Sequence, residues 1–380
     1  MQYTIMTPGP TDVRENVMLS RAEKCTNPDL DIKFYDFYKE TCDKLGKLLN
    51  TKNRVRILSG EGILGLEAAC ASLTENNDRV LVIDNGIYGE GFKDFVNMYG
   101  GNPILFKGDR GKAIDINELE DFLNKDSDFK YATVVHCDTP SGVLNNIKEI
   151  CKLLKSKGIL TVVDTVSAMI GEEVKVDEWG IDIALGGSQK ALSAPPGLSI
   201  VTISDDAINI IKNRKQPIAG FYCNLLIWED YYENKWFPYT MPISDIKGLA
   251  TAIDNILDEG IENVINRHSN IANAVRKSII DGGLELNIIE SDNSNTVTVV
   301  KIPENICCNK LLNTLREKYN VFIAGSFGYL EGKVLRIGHM GESAKIDKVA
   351  YTLLSLEMAL KELGFQCKVD LSKTFLSYLH

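Results

Sequence analysis

The chain has 380 residues, of which 44% are hydrophobic, and a formal net charge of −10 with its basic residues scattered. That length allows a large core and two domains, and that composition excludes a disordered chain. The acidic balance argues against a nucleic-acid partner, and no apolar run reaches the roughly 20 residues of a membrane helix, so no membrane association is expected.

Thr7-Pro8-Gly9-Pro10 breaks any early helix, so an extended arm over 1–20 is expected, with a short helix near 13–18. The opening stretch, MQYTIMTPGPTDVRE, lacks the basic start and apolar centre expected of a signal peptide. Apolar spacing predicts a helix over 34–49, a strand over 54–58 and, after Gly60-Glu61-Gly62-Ile63-Leu64-Gly65, a helix through 66–73. Strands follow at 79–83, 104–106 and 131–135, with helices over 89–99 and 116–123, the second capped by Asp115. A helix over 146–157 leads to strands at 160–163, 181–185 and 198–204. This alternation reads as an α/β fold with a mostly parallel sheet covered on both faces, over a large domain at 21–245. After an irregular aromatic stretch at 224–241, a long helix over about 244–280 opens a smaller α+β C-terminal domain at 246–380. Its elements are strands at 296–300, 321–324 and 333–338 and helices at 308–318 and 345–363. The nine cysteines show no CxxC spacing, which suits reduced thiols in a cytoplasmic protein and predicts no metal site.

Two strand ends carry chemistry. The run at 160–163 ends in Asp164, and the run at 181–185 ends in Gly186-Gly187-Ser188-Gln189-Lys190. Ligands of open α/β sheets sit at such carboxyl ends. An acid and a lysine there are what a pyridoxal phosphate enzyme needs, the lysine for a Schiff base and the acid for the pyridinium nitrogen. The Gly60–Gly65 loop also fits G-x-G-x-x-G, with Asp84 at the end of the next strand. By itself the loop suits a dinucleotide, another phosphate or a plain turn, since glycines and a helix N-terminus receive any anion.

TPGP near the start, SGEG…LEAA, NGIYG, HCDTPSGVL, VDTVSA, GSQKALSAPPG and RIGHMG together resemble a class V aminotransferase of fold type I. The nearest group is that of alanine–glyoxylate and serine–pyruvate aminotransferases. The resemblance runs from Thr7 to Gly341 and implies a seven-stranded, mostly parallel sheet with pyridoxal 5'-phosphate as cofactor. It implies that Lys190 forms the Schiff base and shuttles the proton, and that Asp164 pairs with the ring nitrogen. Tyr88 takes the place of the stacking aromatic and Thr139 that of a hydroxyl on the ring oxygen. Gly62 and Ile63 offer backbone N–H groups to the phosphate, and Gln189 a side-chain donor. Thr240 matches a threonine that reaches a neighbouring subunit's phosphate, which implies a homodimer with shared sites. Arg336 matches the clamp for the substrate carboxylate, with Gly9 of the arm beside the substrate.

Some positions depart from the family. Ile63 stands where many members have His, Tyr88 where some have Trp, and Phe237 where a Tyr can stand. Glu61 puts a carboxylate beside the phosphate loop and is expected to point away. The expected reaction moves an amino group from alanine or a serine-like amino acid to glyoxylate or pyruvate, by a ping-pong route. Rival readings are a 2-aminoethylphosphonate-type transaminase, a cysteine desulfurase or lyase of the same fold, a catalytically silent regulator, and a Rossmann dehydrogenase.

Overall fold

The computed structural model describes residues 3–288 and 290–379. Residues 1, 2, 289 and 380, which fall in the expected arm and C-terminal domain, lie outside the described residues.

The central sheet has seven strands. They are β1 (Arg54–Ser59), β2 (Arg79–Asp84), β3 (Asn102–Lys107), β4 (Tyr131–Val135), β5 (Leu160–Asp164), β6 (Ile183–Gly187) and β7 (Leu198–Ile203). Their spatial order is β1-β7-β6-β5-β4-β2-β3. Strands β3, β2, β4, β5 and β6 pair in parallel, whereas β7 runs antiparallel to both β6 and β1. Every residue of β4, β5, β6 and β7 is buried. That is why these segments read as unbroken apolar runs and not as alternating ones. Between β4 and the next helix a short hairpin forms from Cys137–Asp138 and Val143–Leu144. Asp115 caps its helix as the sequence predicts, accepting from the Asn117 and Glu118 N–H groups.

The helix expected over about 244–280 is in fact two, Ile243–Glu259 and Ile261–Asp281. The break falls at Gly260, whose φ of 84° is open to glycine and costly for other residues. The first helix buries Ile246, Leu249 and Ile253 in the core of the large sheet. The second turns Ile271, Val275 and Ile279 into a separate core shared with Leu335, Ile337, Leu353 and Leu356.

That second core belongs to a smaller α+β unit. Its sheet is antiparallel, β8 (Val297–Lys301), β9 (Ala324–Gly325) and β10 (Val334–Gly338), in the order β8-β10-β9. The strand expected over 321–324 is divided. Val321–Phe322 pairs in parallel with Thr4–Ile5 of the arm, and only Ala324 continues into β9. The arm then crosses to the large sheet. Met6 O accepts from Gly338 N–H at 2.7 Å, and Thr11 N–H donates to Gln189 O at 3.0 Å. It therefore ties the strand carrying Arg336 to the loop carrying Lys190. Among the described residues no helix is long and apolar enough to cross a membrane.

Candidate active site

The carboxyl ends of β1, β2, β4, β5 and β6 open on one edge of the sheet. A cleft of about 560 Å³ lies there, lined in part by Gly9, Ile63, Tyr88, Asp164, Gln189 and Lys190. Parallel register brings Asp164, the last residue of β5, opposite Leu185 of β6, five residues before Lys190. The acid and the lysine read from the sequence thus face one cleft.

Asp164 Oδ1 accepts from Val166 N–H at 2.8 Å. Burial pushes its carboxyl up to about 6, against the pull of that hydrogen bond and of Lys190. Burial also pushes the Lys190 amine down to about 8; Cys137 and Asp164 oppose the shift and Arg336 adds to it. Lys190 Nζ donates to Pro8 O at 2.5 Å. The arm comes so close here that a Cβ on Gly9 would stand 2.8 Å from that nitrogen. The Pro8 carbonyl is a contact that spacing along the chain could not reveal.

Tyr88 N–H donates to Asp138 Oδ1 at 3.1 Å, and Asp138 is fixed in turn by the Ser141 N–H and hydroxyl. Burial raises the Tyr88 phenol, whose ring lies 6.0 Å from that of Phe327. Asp138 was not among the candidates from sequence; its signal was the Asp-x-x-Ser spacing of a turn that closes on itself. Thr139 Oγ1 is buried and makes no hydrogen bond of good geometry, although it lies close enough to the Tyr88 phenol to favour its anion. Arg336, on β10, donates from Nε to Gly325 O at 2.6 Å and sits 5.6 Å from the Phe327 ring. Among the described residues no hydrogen bond engages its Nη groups. Thr240 is exposed, outside the cleft lining, with its hydroxyl 3.4 Å from Asp29 Oδ2. Phe237 is buried in an aromatic cluster, stacked on Tyr35 at 4.4 Å. Nearby Tyr239 does present its hydroxyl to the end of β1, accepting from Ser59 N–H at 3.3 Å.

One expectation is overturned. Glu61 does not point away. It caps the helix Gly62–Leu73, accepting from Ile63 N–H at 3.1 Å, and it also accepts from Gln189 Nε2 at 2.6 Å. An unpaired helix N-terminus attracts the nearest anion, and the nearest is this carboxylate. Two of the donors expected for a phosphate are therefore already engaged.

A seven-stranded sheet in this order, with a buried amine and a buried acid at adjoining strand ends, defines a transferase of fold type I. The sequence places it more narrowly. Residues 19–328 match the aminotransferase class-V family, and the chain belongs to that family of pyridoxal phosphate-dependent aminotransferases. It is 39% identical to an uncharacterized aminotransferase of Methanocaldococcus jannaschii, over 96% of this chain and 94% of the relative. It is 32% identical to the pyridoxamine–pyruvate transaminase of Mesorhizobium japonicum, over 94% of this chain and 92% of the relative. The crystal structure of ureidoglycine–glyoxylate aminotransferase from Bacillus subtilis superposes with a TM-score of 0.96 at 31% identity, covering 100% of this chain and 98% of that one.

The cleft suits the ring of such a cofactor. It offers an amine with a depressed pKa, a buried acid and an aromatic side chain, while Thr139, outside the described lining, is a buried hydroxyl with no hydrogen-bond partner. The helix N-terminus expected to seat the phosphate is the one that Glu61 caps.

Proposed function

We propose that this chain transfers the amino group of a small amino acid, alanine or serine-like, to a small 2-oxo acid such as glyoxylate or pyruvate. The observation that carries the reading is the Asp164–Lys190 pair at neighbouring ends of β5 and β6, with the amine buried and held near a pKa of about 8. The relatives named for glyoxylate and pyruvate support the acceptor class.

Lys190 and Asp164 would hold the pyridoxal ring, with Tyr88 against its face, Thr139 at its oxygen, and Gly62, Ile63 and Gln189 toward its phosphate once Glu61 moves aside. When bound, that ring supplies the electron sink that makes the α-proton of an amino acid acidic. The protein residues do the rest. Arg336 receives the substrate carboxylate on its free Nη fork, which orients the α-C–H bond toward Lys190. Lys190, partly neutral at pH 7 because of its burial, would take the α-proton and hand it back across the substrate nitrogen, as a single base serving both carbons. Asp164 keeps the ring nitrogen protonated, a task helped by the very burial that makes its own charge seek a partner. The 2-oxo acid then reverses the sequence on the same residues.

We also propose a homodimer. Thr240 is exposed and outside the described lining of its own chain's cleft, which supports a role toward a neighbour's site. All nine cysteines are free, which supports a reducing, cytoplasmic setting. The desulfurase reading lacks support: the described lining of the cleft contains no cysteine, and burial pushes the nearby Cys137 thiol up to about 12. The test is a single-turnover assay. Alanine, serine, aspartate and 2-aminoethylphosphonate are added in turn while the protein's absorbance at roughly 400 nm is followed. Alanine or serine should bleach it and glyoxylate or pyruvate restore it; a response to 2-aminoethylphosphonate alone would move the donor class.

A further inference from the structure

The far end of the cleft has the wrong polarity for a phosphate. Glu61 accepts from both Ile63 N–H and Gln189 Nε2. That contact fixes which way the Gln189 amide points and leaves Gln189 Oε1 buried without a partner. The described lining carries three carboxylates, Glu61, Asp94 and Asp164, against Lys190 as its one cation. Its amine is already bound to Pro8 O. A phosphate dianion brings only acceptors and negative charge to this end. It would meet the Glu61 carboxylate and an unpaired carbonyl oxygen. A hydroxymethyl group in the same place is neutral and carries a proton to donate, which Gln189 Oε1 or Glu61 can accept.

We infer that the seat accepts the ring without its phosphate, as free pyridoxal and pyridoxamine, and that Glu61 is the residue that sets this tolerance. The inference rests on the reading that Lys190 and Asp164 hold the ring. It gives the protein a further reaction. Pyridoxamine's C–NH2 carbon becomes the aldehyde of pyridoxal while a 2-oxo acid's C=O carbon becomes CH–NH2. Two electrons pass from one carbon to the other, the water consumed at one equals the water released at the other, and no outside oxidant is needed. A ring with no phosphate anchor leaves after each turnover and so behaves as a substrate.

The experiment uses the full-length chain freed of bound ring. Pyridoxal and pyridoxal phosphate are titrated separately into the wild type and Glu61→Gln, with the absorbance at roughly 400 nm as readout. Gln keeps an oxygen for Ile63 N–H, so the helix stays capped. The wild type should bind pyridoxal within about tenfold of pyridoxal phosphate, while Glu61→Gln should tighten the phosphate ester alone by about tenfold. Pyridoxamine with pyruvate should yield pyridoxal well beyond one equivalent. A wild type that holds the phosphate ester more than about a hundredfold tighter than pyridoxal would overturn the inference, a comparison that needs no variant. So would an equal shift of both rings in Glu61→Gln. If neither ring changes the absorbance of the wild type, the reading of Lys190 falls and this inference with it; if only the phosphate ester does, the first survives and the second does not.

Discussion

Replacing Asp164 by Asn should make the cofactor-free protein more stable and much less active at once. The carboxyl is buried, and its pKa is raised from 3.8 to about 6. A raised carboxylate pKa means that the fold prefers the neutral form. Relative to Asn, the wild type therefore loses stability as pH rises from 3.8, and the loss is complete above about 6. At about 1.4 kcal/mol per pKa unit, the ionised form costs the fold about 3 kcal/mol at pH 7. Asn has the same shape, and its side-chain oxygen can still accept from Val166 N–H. The variant should melt a few degrees higher at pH 7, with the gain shrinking toward nothing at pH 4. Transamination should fall by roughly a hundredfold or more, because the ring nitrogen loses its charged partner. Paired melting curves at the two pH values, alongside single-turnover rates, check both halves. An Asp164→Asn variant that melts at or below the wild type at pH 7, or a gain of equal size at pH 4, would refute the reasoning.

Three further outcomes follow from the same geometry. Because the Lys190 amine titrates near a pKa of about 8, ring capture by the wild type should quicken about tenfold per pH unit below that value and level off above it; stopped-flow absorbance across pH 6 to 10, about the range needed, reads it. Gly9→Ala would force a methyl group against the Lys190 side chain at a φ of 103°, so the lysine adduct should be lost while circular dichroism stays native. Arg336→Lys removes both the planar fork and the tether to Gly325 O; KM for the amino donor should rise by about tenfold to a hundredfold with a smaller change in kcat, measured by steady-state kinetics.

Much of this was written in the sequence, and what was not has physical causes. All seven strands showed in chain order, the four buried throughout as unbroken apolar runs, and Asp164 and Lys190 followed because one ends such a run and the other lies three residues past one. The antiparallel sense of β7 did not show, because an apolar run carries no record of direction. Some signals were present and passed over: Ser204 followed by two aspartates caps the helix Asp205–Lys212, and Gly260 interrupts an otherwise continuous helical pattern. Others could not be read at all. The orientation of Glu61 depends on Gln189, 128 residues away, and the tether of Lys190 on Pro8, 182 residues away. The glycine loop was legible as an anion seat; that a residue of the loop itself would be the anion was not.

The central claim is that Lys190 is the amine to which the pyridoxal ring attaches. Borohydride reduction of the ring-loaded protein, followed by peptide mapping by mass spectrometry, tests it directly. The added mass of the reduced ring should fall on the peptide containing Lys190, and be absent from Lys190→Ala. A label on another lysine, or none on the wild type, would contradict the account.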